Sequence, residues 1–248
     1  MKRQAISNFP LLIMGVFIVF ASSCKKDNDN KSDNPTNGKT TAVFNSSITY
    51  GSMTDQDGNT YKTVTIGTQT WMAENLRTTK YNDGTDIYLV TDNTAWGSLT
   101  SGGYCNYANT TNVDTIATYG RLYNWYAVNT GKLAPNGWHV PTDAEWETLT
   151  NYLGGTSVVG GKLKEIGTTH WNSPNQGATN ETGFTALPGG YRDEDGTFGY
   201  IGRFALLCSA TENGLNSARS QFITEGGSNG VMINYRKVFG YSVRCVRD

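Results

Sequence analysis

Histidine is nearly absent: the 248 residues contain only His139 and His170. Two histidines without the i, i+4 spacing of an HExxH helix exclude that class of zinc hydrolase. A surplus of positive charge is lacking too. Twenty Lys and Arg stand against 21 Asp and Glu, a formal charge of −1, which gives no basic field to collect nucleic acid. Nor does any apolar run reach the roughly 20 residues that a membrane-spanning helix needs. The run from Leu11 to Ala21 is shorter and is interrupted by Gly15.

That run follows Lys2 and Arg3 and reads as the core of a signal peptide covering residues 1–23. Ala21-Ser22-Ser23-Cys24 resembles a lipobox, which makes Cys24 the expected lipidated N-terminus. Ordinary cleavage near Ser23, leaving Cys24 as a free thiol, is the alternative. Loss of Lys2 and Arg3 lowers the formal charge of −1 by two, to −3. Lys25-Lys26-Asp27-Asn28-Asp29-Asn30 resembles the signal that sends many Bacteroidetes lipoproteins to the outer face of the outer membrane. A solvated linker start fits the same residues, so the periplasmic face stays open. Residues 24–47 are dominated by Asn, Asp, Lys, Ser, Thr and Gly, too polar to offset the entropy of ordering. They are expected to form a disordered tether reaching roughly 25 Å.

Residues 48–248 turn to aromatics, Gly, Thr and short apolar runs, the pattern of many short strands. Tyr61 to Ile66 alternates with Lys62, Val64 and Ile66 on one face. Asp193-Glu194-Asp195-Gly196 predicts a hairpin turn. Tyr119 to Asn129 has helical spacing at Leu122, Trp125 and Tyr126. The strongest local signal is Pro141-Thr142-Asp143-Ala144-Glu145-Trp146. Thr142 and Glu145 form a capping box, Trp146, Leu149 and Leu153 recur at helical spacing, and Gly154-Gly155 stops the helix. Two short helices and a loop-rich antiparallel sheet make an α+β order.

Gly137-Trp138-His139-Val140-Pro141-Thr142-Asp143-Ala144-Glu145-Trp146 resembles the Fibrobacter succinogenes major paralogous domain family. So do Ile66 to Leu76, Tyr119 to Val128 and Gly240 to Val246, in the family's order. The family is in turn distantly similar to the formylglycine-generating, sulfatase-modifying enzymes. The resemblance implies one C-type-lectin-like, sulfatase-modifying-factor-like domain over residues 48–248. It also places Cys105 and Cys245 where relatives often carry cysteine, so these two are the expected disulfide, with Cys208–Cys245 the rival. Cys208 stands where relatives have an aromatic and is expected to be a buried thiol.

Chemistry is harder to find than architecture. The sulfatase-modifying enzymes hold copper on two cysteines four residues apart, and no such pair occurs here. Gly226-Gly227-Ser228-Asn229-Gly230 matches a nucleophile-elbow pattern but lies between two expected strands, which favours a hairpin loop. Asp55-Gln56-Asp57-Gly58-Asn59 begins like a calcium loop yet has Ile66 where the twelfth-position glutamate belongs, which favours a turn. His139 reads as structural. Six tryptophans offer a stacking surface, with Trp96 and Trp171, in polar loops, the two expected to be exposed. No catalytic residue, metal or cofactor is therefore expected. The reading is an exported, membrane-anchored binding or adhesion module whose partner is a glycan or a surface protein. An enzyme, or enzyme remnant, of the sulfatase-modifying kind is one alternative, and a structural lipoprotein with no soluble ligand is the other.

Overall fold

The computed structural model describes Met1 and residues 34–248. The expected signal peptide, Cys24 and the first part of the tether lie outside the described residues. Thr142 caps the Asp143–Tyr152 helix as its spacing predicts. The Glu145 N–H donates to Thr142 Oγ1 (3.4 Å), and the Thr142 N–H donates to Glu145 Oε2 (2.8 Å). Gly154 and Gly155 end it at φ of 97° and 96°, a conformation that glycine adopts without a Cβ penalty. Its inner face buries Trp146, Leu149 and Leu153. Trp146 lies 4.6 Å from the Trp71 ring centroid.

Among the described residues the strands form four sheets. Gly51–Thr54, Thr60–Ile66, Gln69–Met72, Val246–Arg247 and Trp138–His139 make an antiparallel sheet in that spatial order. The end of the chain is thus paired beside the first strands. Phe204–Glu212, Ser217–Thr224 and Gly230–Arg236 form an antiparallel meander. Gly189–Arg192 and Phe198–Ile201 form the hairpin expected around Asp193 to Gly196. A small mixed sheet joins Tyr88–Leu89 and Leu122–Tyr123 to Gly103–Cys105. The α+β order holds, with five short α-helices among the described residues rather than two. The region expected as one helix from Tyr119 to Asn129 is split. Val113–Tyr119 stops at Gly120, whose φ is +73° and whose added Cβ would lie 2.7 Å from the Leu76 carbonyl oxygen. Leu122–Tyr123 is a strand, and Asn124 caps a new helix, Trp125–Val128, by accepting from the Ala127 N–H.

The meander separates two cores by its period-two alternation. Leu206, Cys208, Ala218 and Tyr235 face one cluster, which includes Tyr123 and Tyr241. Ala205, Leu207, Ile223 and Met232 face the other, with Trp71, Trp146 and Trp171.

Two features depart from the sequence reading. Residues 34–47, expected as tether, lie along the domain as a strap. Arg77 Nε donates to Thr36 Oγ1 (2.9 Å), the Val43 N–H to Glu165 Oε1 (2.6 Å) and Asn45 Nδ2 to the Asn180 carbonyl (2.9 Å). These bonds supplement the one aromatic of the segment, Phe44, which packs against the core. The second feature is a set of buried cations. Lys164 Nζ donates to the carbonyls of Gln176, Thr224 and Gly227 (2.9, 3.0 and 2.9 Å). Arg192 gathers the carbonyls of Val90, Thr91 and Gly196, and Arg244 those of Met72, Phe184 and Thr185. Each cation satisfies several backbone carbonyls at once, which offsets the cost of burying them in so irregular a chain.

Candidate functional site

The most distinctive surface feature is an aromatic ladder where the Gly189–Arg192/Phe198–Ile201 hairpin meets the meander. Tyr191 and Tyr200 are stacked at 5.6 Å and 12°, Tyr200 and Phe204 at 4.3 Å and 3°, and Tyr191 and Phe239 at 6.0 Å and 3°. Phe222 closes one end edge-on against Phe204 (5.0 Å, 84°). Tyr191, Phe204, Phe222, Phe239 and Ile233 are part-buried against the core beneath, while Tyr200 is 44 % exposed. The Arg203 guanidinium lies 5.7 Å from the Tyr200 centroid and 5.9 Å from that of Phe204, within cation–π range. Glu225 Oε1 holds Arg203 Nε at 2.7 Å.

The backbone presents this ladder at a cost. Tyr200 has φ of +62°, a left-handed conformation that bulky residues avoid. It sits between the hairpin pairs Gly189–Ile201 and Tyr191–Gly199. Gly190, also at positive φ, allows the close approach there: an added Cβ would lie 2.3 Å from the Gly199 carbonyl oxygen. Strain held at an exposed aromatic is the kind of outlier that clusters at binding surfaces.

The tryptophans are not part of this surface. Trp96 and Trp171, expected to be exposed, are 0 % and 1 % exposed. The polar loops around them fold inward because Arg192 sits over Trp96 (4.7 Å) and Lys164 over Trp171 (5.4 Å). Nothing local in the sequence marks the ladder, since its rings come from five separated positions.

The profile of the Fibrobacter succinogenes major domain matches residues 64–247, most of the chain and all of the ladder. The chain belongs to that family. No curated protein and no solved structure matches it.

Other candidate chemistry in this family member is taken up by structure. His139 bonds on both sides, Nδ1 to Asp248 Oδ1 and Nε2 to Glu145 Oε1, each at 2.6 Å. Burial alone would lower its pKa. The two carboxylates outweigh that and hold it above its ordinary value. The imidazole therefore clasps the helix start to the final residue. His170 joins Glu165 (Nδ1 to Oε2, 2.8 Å) and Thr41 (Nε2 to Oγ1, 2.9 Å). This resembles a hydroxyl–imidazole–carboxylate relay, but Thr41 Oγ1 also meets Thr118 Oγ1 at 3.0 Å and the Tyr119 ring packs on His170. The relay fastens the strap.

Asp55 Oδ1 accepts the N–H groups of Asp57 and Asn59, and Oδ2 accepts from Asn59 Nδ2 and the Tyr61 hydroxyl. Its carboxylate thus serves the turn. Gly226 to Asn229 link two strands of the meander as a hairpin loop.

Cys105, Cys208 and Cys245 are free thiols, so the bridge expected between Cys105 and Cys245 is not formed. The two belong to different clusters. Cys105 packs with Val90, Trp96 and Leu122, whereas Cys245 lies in the core with Met72 and Tyr123. Cys208 is buried as expected. Burial pushes Cys105 and Cys208 up to about 12 and raises Cys245 as well, so none is a ready nucleophile or soft-metal ligand.

Proposed function

We propose that this chain is an exported lipoprotein, anchored through Cys24, that displays a C-type-lectin-like domain as a non-catalytic binding or adhesion module at the outer membrane, facing the cell exterior. The observation that carries the reading is the ladder: a strained, exposed Tyr200 stacked between Tyr191 and Phe204 under Arg203. Tyrosine and arginine over an apolar base are the side chains that dominate recognition surfaces. A glycan ring or a protein surface is the ligand class such rings serve. The pairing of the last strand beside the first sheet strands is in keeping with the proposed fold. The capture of His139, His170 and Asp55 in structural bonds and the burial of the three thiols favour binding over catalysis.

Tyr200→Gly tests the reading cleanly, because glycine relaxes the φ of +62° while removing the ring. On a glycan array and in pull-downs from surface fractions, the full chain should retain a partner that Tyr200→Gly and Arg203→Ala both lose. Equal retention by wild type and both variants would remove the ladder as the site. For the anchor, Cys24→Ala should move the protein from the detergent phase to the aqueous phase. Protease added to intact cells should release the domain.

A further inference from the structure

A second site lies on the opposite face of the meander. Successive residues of a strand point to opposite sides, so Phe222 belongs to the ladder and Gln221 to a separate cleft of about 250 Å³. One wall of the cleft is the Asp143–Tyr152 helix, which presents Asp143, Glu147 and Asn151 at four-residue intervals on one face. The other wall is the sheet, with Arg219 and Gln221 two residues apart on the Ser217–Thr224 strand and Met232 beside them.

Asp143 and Arg219 are held in place rather than left to wander. Asp143 Oδ1 accepts from Ser209 Oγ (2.7 Å) and Oδ2 from Arg219 Nε (2.8 Å). Arg219 Nη1 is fixed in turn by Asn234 Oδ1 (2.9 Å). Gln221 is 1 % exposed, and its buried Nε2 has no hydrogen-bond partner. An unpartnered buried amide is costly, and this one is part of the cleft wall. Gly230 keeps room for it: a Cβ added there would lie 2.6 Å from Gln221 Nε2.

We infer that this cleft binds a single sugar residue, a neutral hexose or a hexosamine. Its polar wall combines two carboxylates, two amides and a guanidinium with Thr150 and Thr156. Glu147 and Asn151, whose side chains are exposed, can engage adjacent hydroxyls of a polyol, Gln221 Nε2 offers an unused donor, and Met232 offers an apolar contact for a ring face. The Asp143–Arg219 pair is internally neutralised, and Glu147 adds a negative charge with no ion-pair partner among the described residues. The balance selects against anionic sugars and phosphates. No metal is needed, and the site is independent of the ladder.

The test is ligand-observed NMR and calorimetry on the full chain in detergent, with glucose, galactose, mannose, N-acetylglucosamine, glucosamine and glucuronate as probes. At least one neutral or amino sugar should bind and glucuronate should not. Gln221→Leu and Glu147→Ala should each weaken binding at least tenfold, and Tyr200→Gly should leave it unchanged. Glu147 is on the exposed side of its helix, so its variant reports even if Gln221→Leu misfolds. Binding of none of the sugars, preference for glucuronate, or indifference to Glu147→Ala would overturn the assignment.

Discussion

Removing the Trp146 side chain tests the core beneath the cleft face of the meander. The ring is 0 % exposed, 4.6 Å from Trp71 and 6.2 Å from Phe184 between centroids, and its indole N–H points to the Cys208 carbonyl at 3.4 Å. Truncation of a buried tryptophan to alanine costs about 3–5 kcal/mol. The lost pairing with two neighbouring rings places this case toward the upper end, since aromatic pairs contribute about 0.5–1.5 kcal/mol beyond their area. The indole hydrogen bond is too long to add much. Against a total stability of about 5–15 kcal/mol, that is a large fraction. With a urea m-value near 3 kcal/mol/M, the top of the usual range, the midpoint should fall by about 1–2 M. Far-UV circular dichroism is the right probe, because the variant removes a fluorophore. Trp146→Phe should recover roughly half of the loss by refilling part of the space. A midpoint for Trp146→Ala within about 0.3 M of wild type, at unchanged m, would refute the packing argument.

Two further outcomes follow from local bonds and from buried protons. Thr142→Ala should lower stability by about 1 kcal/mol in the same urea titration, because the Glu145 N–H loses its side-chain acceptor; no change would mean the cap contributes nothing. Stability should fall as pH rises above 9, since unfolded thiols ionise near 9 while Cys105 and Cys208 stay protonated to about 12 and Cys245 is raised too, so the unfolded state binds fewer protons there. Lys164, lowered by burial to about 8 from 10.5, and Arg244, lowered by burial to about 9, act with the opposite sign, so Lys164→Met should steepen the fall measured from pH 8 to 10. A flat profile would contradict the burial of the thiols.

What the sequence made legible was local. The capping box at Thr142 and Glu145, the glycine stop and the Asp193–Gly196 turn each have their cause within a few residues, and each is found in place. The failures share a different cause. Leu122, Trp125 and Tyr126 keep helical spacing, yet the positive φ at Gly120 and the pairing of Leu122 with Cys105 break the run. Asn34, Thr36, Thr41 and Asn45 have the composition of a disordered linker, and their partners, among them Asp57, Arg77, His170 and Asn180, lie 23 to 135 residues away. Trp96 and Trp171 were hidden in the same way, beneath cations that sequence reasoning assigns to the surface.

The buried cations also explain why the two proposed surfaces can vary independently. A loop-rich domain usually gains order from apolar area, which would tie surface residues to the core they cover. Here Lys164, Arg192 and Arg244 fix the loops through backbone carbonyls, which any residue supplies. Side chains on those loops are then released from holding the fold. The meander adds a second separation: changing Phe204 or Phe222 alters the ladder face, while changing Arg219 or Gln221 alters the cleft face, with the backbone ladder between them intact. The cost is concentrated in few residues. Loss of Lys164 removes the side-chain donor of three carbonyls, and loss of Arg192 that of Val90 and Gly196, since Thr91 also accepts from Asn109 Nδ2, so substitution at Lys164 or Arg192 should be tolerated far less than substitution at any ring of the ladder.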